Sequence, residues 1–321
     1  MRSDIRERAN GADSSLFRKR LPSSVEEGLG AVGVSITVAV NRPSQLKRRV
    51  RISVALATPV ANGLGLVFMS RVRVVTFDLW DTVFVDDSDE PKRLQQGLPP
   101  KPVERRELLH RFLSRHAPIE RALVDCAYDT ADSAFRHVWR HQHVTWPVEV
   151  RLRVLLAGLK RELPDGELRE LVRLHEEMEL RVRPDLVPGA AAALEALRRR
   201  FTLVVVSDAI FTPGRALREL LAGYGLRDYF SAFVFSDEVG CSKPALGMFH
   251  RAAELAGCRA EEIVHVGDRE HNDIAGAKQS GCRAVLFTGV VDRDSANTRA
   301  DAVCRDLAEL PGIIESLEVE S

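Results

Sequence analysis

Asp78 follows an apolar run over 72–77, with Asp81 and Thr82 close behind it. Ser207 and Asp208 close a second apolar run, Lys243 stands in a loop before Pro244, and Asp268 and Asp273 follow a further run. Gathered at one place, these residues have a definite electrostatic consequence. The carboxylates of Asp78, Asp268 and Asp273 raise one another's pKa unless a cation compensates, and one divalent ion together with Lys243 balances their charge. Oxygen-only ligands with room for water suit Mg2+, which takes one or two carboxylates and phosphate oxygens. A phosphoryl group can then bridge the ion, Lys243 and Ser207 while Asp78 attacks it, giving an aspartyl-phosphate intermediate.

These residues fall where an open parallel sheet presents its ligands. The runs 72–77, 203–206, 233–235, 263–266 and 284–287 are short and rich in β-branched residues, as in strands buried on both faces. Helical patterns lie between them. Thr212 and Pro213 read as N-cap and first turn ahead of Ala216, Leu217, Leu220 and Leu221, while Gly257 and Gly281 stand where helices stop. The alternation predicts an α/β fold, a doubly wound parallel sheet covered on both faces with right-handed crossovers. Such a sheet binds ligands at the carboxyl ends of its strands, near the point where strand order reverses.

The first two strands are separated by far more chain than a crossover needs. Residues 91–184 read as helical throughout. One apolar stripe runs along Leu108, Leu109, Phe112 and Leu113, and another along Ala127, Ala131, Ala134, Phe135 and Val138. Val154, Leu155 and Leu159 make a third, Leu168, Leu171, Val172 and Met178 a fourth. Stripes of this kind can be buried only against one another, so the segment is expected to be an inserted α-helical cap. The expected division is a core over 69–90 and 185–321, the cap over 91–184 and a poorly ordered extension over 1–68. That extension lacks periodicity and reads as upstream sequence translated from too early a start. Arg136, Arg140 and His143 share one helical face, read as solvated, and the acidic run Asp86, Asp87, Asp89 and Glu90 reads as an exposed hinge.

Composition removes other classes of function. With 46 Lys+Arg against 46 Asp+Glu and 45% hydrophobic residues, the chain is neither disordered nor polybasic. Zero net charge provides no global field to steer nucleic acid or an anionic membrane toward it. The apolar stretches 31–40 and 54–68 are too short or too interrupted to span a bilayer. The 5 cysteines show no CxxC spacing, which argues against a disulfide framework or zinc site and for the reducing cytoplasm. The expected partner is a small phosphorylated molecule, with no nucleic acid and no membrane.

Four motifs together resemble the haloacid dehalogenase-like hydrolase superfamily over residues 72–311: VVTFDLWDTV at 74–83, VVVSD at 204–208, CSKP at 241–244 and VHVGDREHND at 264–273. The resemblance implies a Rossmann-like core with a helical cap between the first two motifs. It implies that Asp78 is the nucleophile and that Asp78, Asp268 and the backbone carbonyl of Trp80 hold Mg2+, with Asp273 supporting the metal shell. Ser207 and Lys243 would bind the phosphoryl group, with Thr82, Asp208 and Trp80 completing the substrate-binding set. One position departs from the family's phosphatases, which carry an acid-base aspartate where this chain has Trp80. Losing a positioned acid-base group removes a factor of about 10² to 10⁴ in rate. Three remedies are open: Asp81 supplies the proton, the leaving group needs none, or the reaction displaces halide without metal, as in 2-haloacid dehalogenases. A weakly catalytic phosphate- or metal-binding scaffold is the non-enzyme reading.

Overall fold

The computed structural model of the chain describes residues 71–293 and 295–319, so the expected extension over 1–68 lies outside the described residues. Strand β1 (Val74–Phe77) is followed by seven helices before the next strand: α1 (Glu90–Gln95), α2 (Lys101–Ser114), α3 (Arg121–Gln142), α4 (Val148–Gly158), α5 (Asp165–Glu176), α6 (Met178–Arg181) and α7 (Ala190–Leu197). Then come β2 (Thr202–Ser207), α8 (Gly214–Gly223), β3 (Ala232–Phe235), α9 (Ser236–Val239) and α10 (Leu246–Ala256). The chain ends in β4 (Ile263–Gly267), α11 (Gly276–Gln279), β5 (Arg283–Phe287), β6 (Ala302–Cys304) and α12 (Leu310–Val319).

All strand pairs are parallel, in the order β3-β2-β1-β4-β5-β6. The five strands expected from β-branched runs are present. The sixth, β6, went unpredicted because Ala302–Cys304 is too short for periodicity to register. From β1 the chain moves outward to β2 and β3, then returns to the other side of β1 as β4, so strand order reverses between β1 and β4. Phe77 is in register with both Val205 and Val266. Residues that follow β1, β2 and β4 therefore come level at one edge of the sheet.

Alternate residues serve opposite faces, as a pleated strand requires. Val75, Phe77, Val205 and Val266 pack with Leu194, Leu217 and Ile314 on one side. Val74, Val204 and Ile263 pack with Phe249, Ala252 and Ala277 on the other. Gly257, at φ +60°, ends α10 as expected. Thr212, by contrast, does not cap α8: its hydroxyl donates to Glu179 Oε2 at 2.7 Å.

The helices between β1 and β2 bury their own apolar cluster, which includes Leu109 and Phe112 of α2, Val124 and Tyr128 of α3, Leu152 and Leu155 of α4, and Leu171 of α5. Two stripes are phased differently from expectation. On α3 the buried line is Val124, Tyr128, Ala131 and Phe135, with Ala134 exposed, and on α4 Leu152 and Leu156 are buried while Val154 is exposed. In both helices several apolar residues are spare, and packing partners choose among them. Asp89 is no exposed hinge residue: it is fully buried, and its Oδ1 accepts Lys101 Nζ at 2.7 Å. Among the described residues no helix is long and apolar enough to cross a membrane.

Candidate active site

The turn after β1 is tight because three successive amides, of Thr82, Val83 and Phe84, converge on the Leu79 carbonyl at 3.3, 2.8 and 2.8 Å. Asp81 takes the left-handed conformation there, at φ +53°, a region that aspartate tolerates better than most residues. The Asp78 amide donates to the Val266 carbonyl at 2.9 Å, which ties the end of β1 to β4. Asp78 Oδ1 accepts two hydrogen bonds, from Lys243 Nζ at 2.6 Å and from Ser207 Oγ at 2.9 Å. Among the described residues, no donor reaches Asp78 Oδ2.

Lys243 Nζ also lies 2.5 Å from Asp273 Oδ1. The loop bearing Lys243 is held by Asp208, whose Oδ1 accepts the Lys243 amide at 3.0 Å and whose Oδ2 accepts Asn272 Nδ2 at 3.3 Å. Burial opposes the lysine's charge, yet the carboxylates of Asp273, Asp78 and Asp208 outweigh it and hold the ammonium well above its ordinary pKa. Burial likewise raises Asp273, but Lys243 and His265 bring it well below the usual carboxylate range. Burial first, then the charges of Asp78 and Asp273, push Asp208 up to about 6 against the pull of Lys243.

A π-helical turn over Glu270–Ala275 delivers Asp273 to this cluster, and its Oδ2 accepts the Arg269 amide at 2.9 Å. Behind Asp273 stands His265 of β4, fully buried, with Nε2 3.2 Å from Asp273 Oδ1 and Nδ1 2.8 Å from Thr76 Oγ1. Asp268, only 2% exposed, pairs through Oδ2 with Arg293. Its Oδ1 is buried with no hydrogen-bond partner. One carboxylate oxygen from each of Asp78, Asp268 and Asp273 lies within 4.8 Å of the others. An orphaned carboxylate oxygen in a three-acid cluster is the donor set a hard divalent cation selects.

The cluster opens into a cavity of about 530 Å³ lined from the sheet edge by Asp78, Trp80, Asp208, Lys243 and Asp273. Helices α2, α3 and α4 supply the opposite wall through Lys101, Arg105, Phe135 and Arg151. Two residues expected at the site are not brought to the cavity. Asp81 shares Arg293 with Asp268, accepting Nη2 at 2.6 Å on Oδ2, and accepts the Asp86 amide at 3.0 Å on Oδ1. Thr82 is fully buried with its hydroxyl unpartnered, and neither residue lines the cavity. The tight turn accounts for both, since its amides draw the residues after Trp80 back onto the Leu79 carbonyl. Arg136 lines the cavity, whereas Arg140 and His143 line a neighbouring groove. Sequence reading missed His265 and Arg293. A histidine amid the apolar residues of a strand buried on both faces is a detectable signal, because it must find polar partners; Arg293, in a loop, carries none.

A family model described as haloacid dehalogenase-like hydrolase matches residues 72–281, well over half of the chain. The chain belongs to the haloacid dehalogenase-like hydrolases. Among hydrolases similar to it is glyceraldehyde 3-phosphate phosphatase of Pyrococcus furiosus, 27% identical over 260 residues, 79% of this chain and 96% of that one. A phosphoserine phosphatase of Thermus thermophilus is 34% identical over 131 residues, 40% of this chain and 51% of the enzyme. The chain spans about half the length, or less, of several curated relatives that it matches. The crystal structure of a 2-haloacid dehalogenase from Pseudomonas syringae pv. Tomato DC3000 aligns with a TM-score of 0.56 at 26% identity, covering 77% of this chain and 99% of that chain. Phosphatases and a dehalogenase thus share this hydrolase fold with it.

Proposed function

We propose that this hydrolase is a Mg2+-dependent phosphatase of small phosphate esters, with Asp78 as nucleophile. The observation that carries the reading is the orphaned Oδ1 of Asp268 beside Asp78 and Asp273. Arg293 meets Oδ2 of Asp268 but leaves Oδ1 bare, and a cation there would offset the repulsion between these clustered carboxylates and an anionic substrate. Asp78, Asp268 and the backbone carbonyl of Trp80 would hold the ion, with Asp273 supporting them. Bound there, the ion would neutralise the phosphoryl oxygens. Relatives that are phosphatases of glyceraldehyde 3-phosphate and phosphoserine support the substrate class.

The residues then divide the work. Lys243 and Ser207 hold Asp78 Oδ1, so Oδ2 is the oxygen left to attack phosphorus, and both groups bind the phosphoryl oxygens as the ester bond breaks. Water then hydrolyses the aspartyl phosphate and restores the carboxylate. Asp273 keeps Lys243 charged and in place, and Asp208 anchors its loop. The helices of 91–184 act as a cap that excludes water, and Trp80 forms part of the pocket wall. With indole at position 80 and Asp81 tied to Arg293, neither residue just after the nucleophile protonates the leaving oxygen, which favours aryl or acyl phosphates. The free cysteines support a cytoplasmic location.

A second reading, metal-independent halide displacement, is favoured by Trp80 and by the dehalogenase structure. Assays of phosphate release from 4-nitrophenyl and acetyl phosphate, with Mg2+ and with chelator, run beside chloride release from 2-chloropropionate, separate the two. Metal-dependent phosphate release that disappears in Asp78→Asn is the expected result. Chloride release in chelator, without phosphate release, would replace the phosphatase by the dehalogenase.

A further inference from the structure

Across the cavity from Asp78 and Lys243, two arginines are buried in the wall. Arg105 of α2 is 5% exposed and Arg151 of α4 is 4% exposed. Both guanidinium groups stack on Phe211, in the loop that follows β2, at 3.5 and 3.9 Å from the ring centroid. Arg151 also stacks on Phe135 at 4.4 Å. Stacking fixes the plane of each group and leaves its edge for an acceptor.

The acceptors are missing. Arg105 Nε and Arg151 Nε and Nη1 are sealed from the cavity as well as from bulk water and have no hydrogen-bond partner, so an anion in the cavity would meet the remaining guanidinium nitrogens. Arg151 donates only to the Ile210 carbonyl and makes no ion pair among the described residues. The nearest acid to Arg105 is Glu179 at 3.8 Å, already shared with Lys101 at 3.4 Å and with the Thr212 hydroxyl. Asp86, Asp87 and Asp132 also line the cavity, and none of them is within ion-pair distance of either arginine, Asp87 being paired with Lys101 at 3.1 Å. Burial lowers the pKa of both guanidinium groups, that of Arg151 to about 10. Two buried cations with a single shared carboxylate, Glu179, near ion-pair distance, and with Asp132 and Glu176 acting only from further off, are under-compensated, and an anion in the cavity removes the imbalance.

We infer that Arg105 and Arg151 form a second anion subsite, and that the substrate is a small phosphate ester carrying another anionic group, carboxylate or phosphate, remote from the phosphoryl group that is transferred. This inference rests on the phosphatase reading. The Arg136, Arg140 and His143 face, the cationic stripe visible in the sequence, does not form this subsite, because only Arg136 reaches the cavity and it is exposed.

Calorimetry on the Asp78→Asn protein in Mg2+ tests it with three ligands of similar size: glycerol 3-phosphate, 3-phosphoglycerate and glycerol 1,3-bisphosphate. At least tenfold tighter binding of one or both of the last two over the first is expected, and which one gains identifies the second group. The preference should shrink to within about threefold in Asp78→Asn/Arg151→Gln and in Asp78→Asn/Arg105→Gln. Equal affinities for all three ligands, or a preference that survives both folded arginine variants, would overturn the subsite. Should one variant fail to fold, the three-ligand comparison in Asp78→Asn still decides. Hydrolysis of 4-nitrophenyl phosphate by the wild-type protein tests the phosphatase reading separately: turnover without ligand preference removes the subsite alone, and preference without turnover keeps the subsite and removes the reaction.

Discussion

The carboxylate of Asp273 rests on the Cα of Gly267: a Cβ built there would lie 2.4 Å from Asp273 Cγ and 2.6 Å from its Cβ. No side chain fits at that distance. Because Asp273 in turn binds Lys243 at 2.5 Å, the absence of a methyl group at the end of β4 governs where the lysine's charge sits. Gly267→Ala should displace Asp273, reduce kcat/KM for 4-nitrophenyl phosphate at least about tenfold and cost roughly 1 to 3 kcal/mol of stability. Phosphate release together with urea titration would show it, and a variant within twofold of wild type on both measures would contradict the close packing.

Trp80→Asp introduces a carboxylic acid where the cavity begins. Activity toward alkyl phosphates, whose alkoxide leaves poorly without a proton, should rise by about 10- to 100-fold. Activity toward 4-nitrophenyl phosphate should change little, because nitrophenolate needs no proton. Equal effects on both esters in a folded variant would mean that leaving-group protonation is not what limits the enzyme.

Asp81 is tied to Arg293 and to the Asp86 amide, which is a structural engagement. Asp81→Asn should therefore lower stability by about 1 to 3 kcal/mol while reducing turnover of aryl and alkyl esters by the same modest factor. A loss confined to alkyl esters would instead assign Asp81 the acid-base role.

His175 of α5 is fully buried beneath the helical layer, with Nε2 2.5 Å from Tyr128 Oη and Nδ1 2.8 Å from the Leu171 carbonyl. Burial pushes its pKa down from 6.5 to about 3. Between these values the unfolded chain binds a proton that the folded one does not, so stability falls as pH drops through this window. The contribution amounts to roughly 2 kcal/mol by pH 5. The stability gap between wild type and His175→Gln, measured by urea titration, should narrow by about that amount between pH 8 and pH 5. A gap that stays constant would mean that the folded imidazole takes up its proton as readily as the unfolded one.

Much of the core was legible from residue type alone. The β-branched runs behind Asp78, Ser207 and Asp268 specify strands buried on both faces, and chain order leaves few ways to arrange them. Polar residues placed directly after such strands must emerge at one edge of the sheet, which is why Asp78, Ser207 and Asp268 could be grouped from sequence, whereas Lys243 and Asp273 lie further along their loops and were grouped with them through the motifs. The helical insertion was equally visible as a layer, but not in its phase: α3 and α4 carry more apolar residues than one face can bury, so neighbours decided that Phe135 goes inside and Val154 outside.

Local sequence determined which residues stand at the ends of strands, because backbone propensity and side-chain alternation act over a few neighbouring residues. Tertiary structure alone decided what those residues meet. The pairing of Asp81 with Arg293 and the stacking of Arg105 and Arg151 on Phe211 each join positions far apart in the chain. Such contacts depend on charge and shape complementarity in three dimensions, which leaves no periodic trace along the sequence.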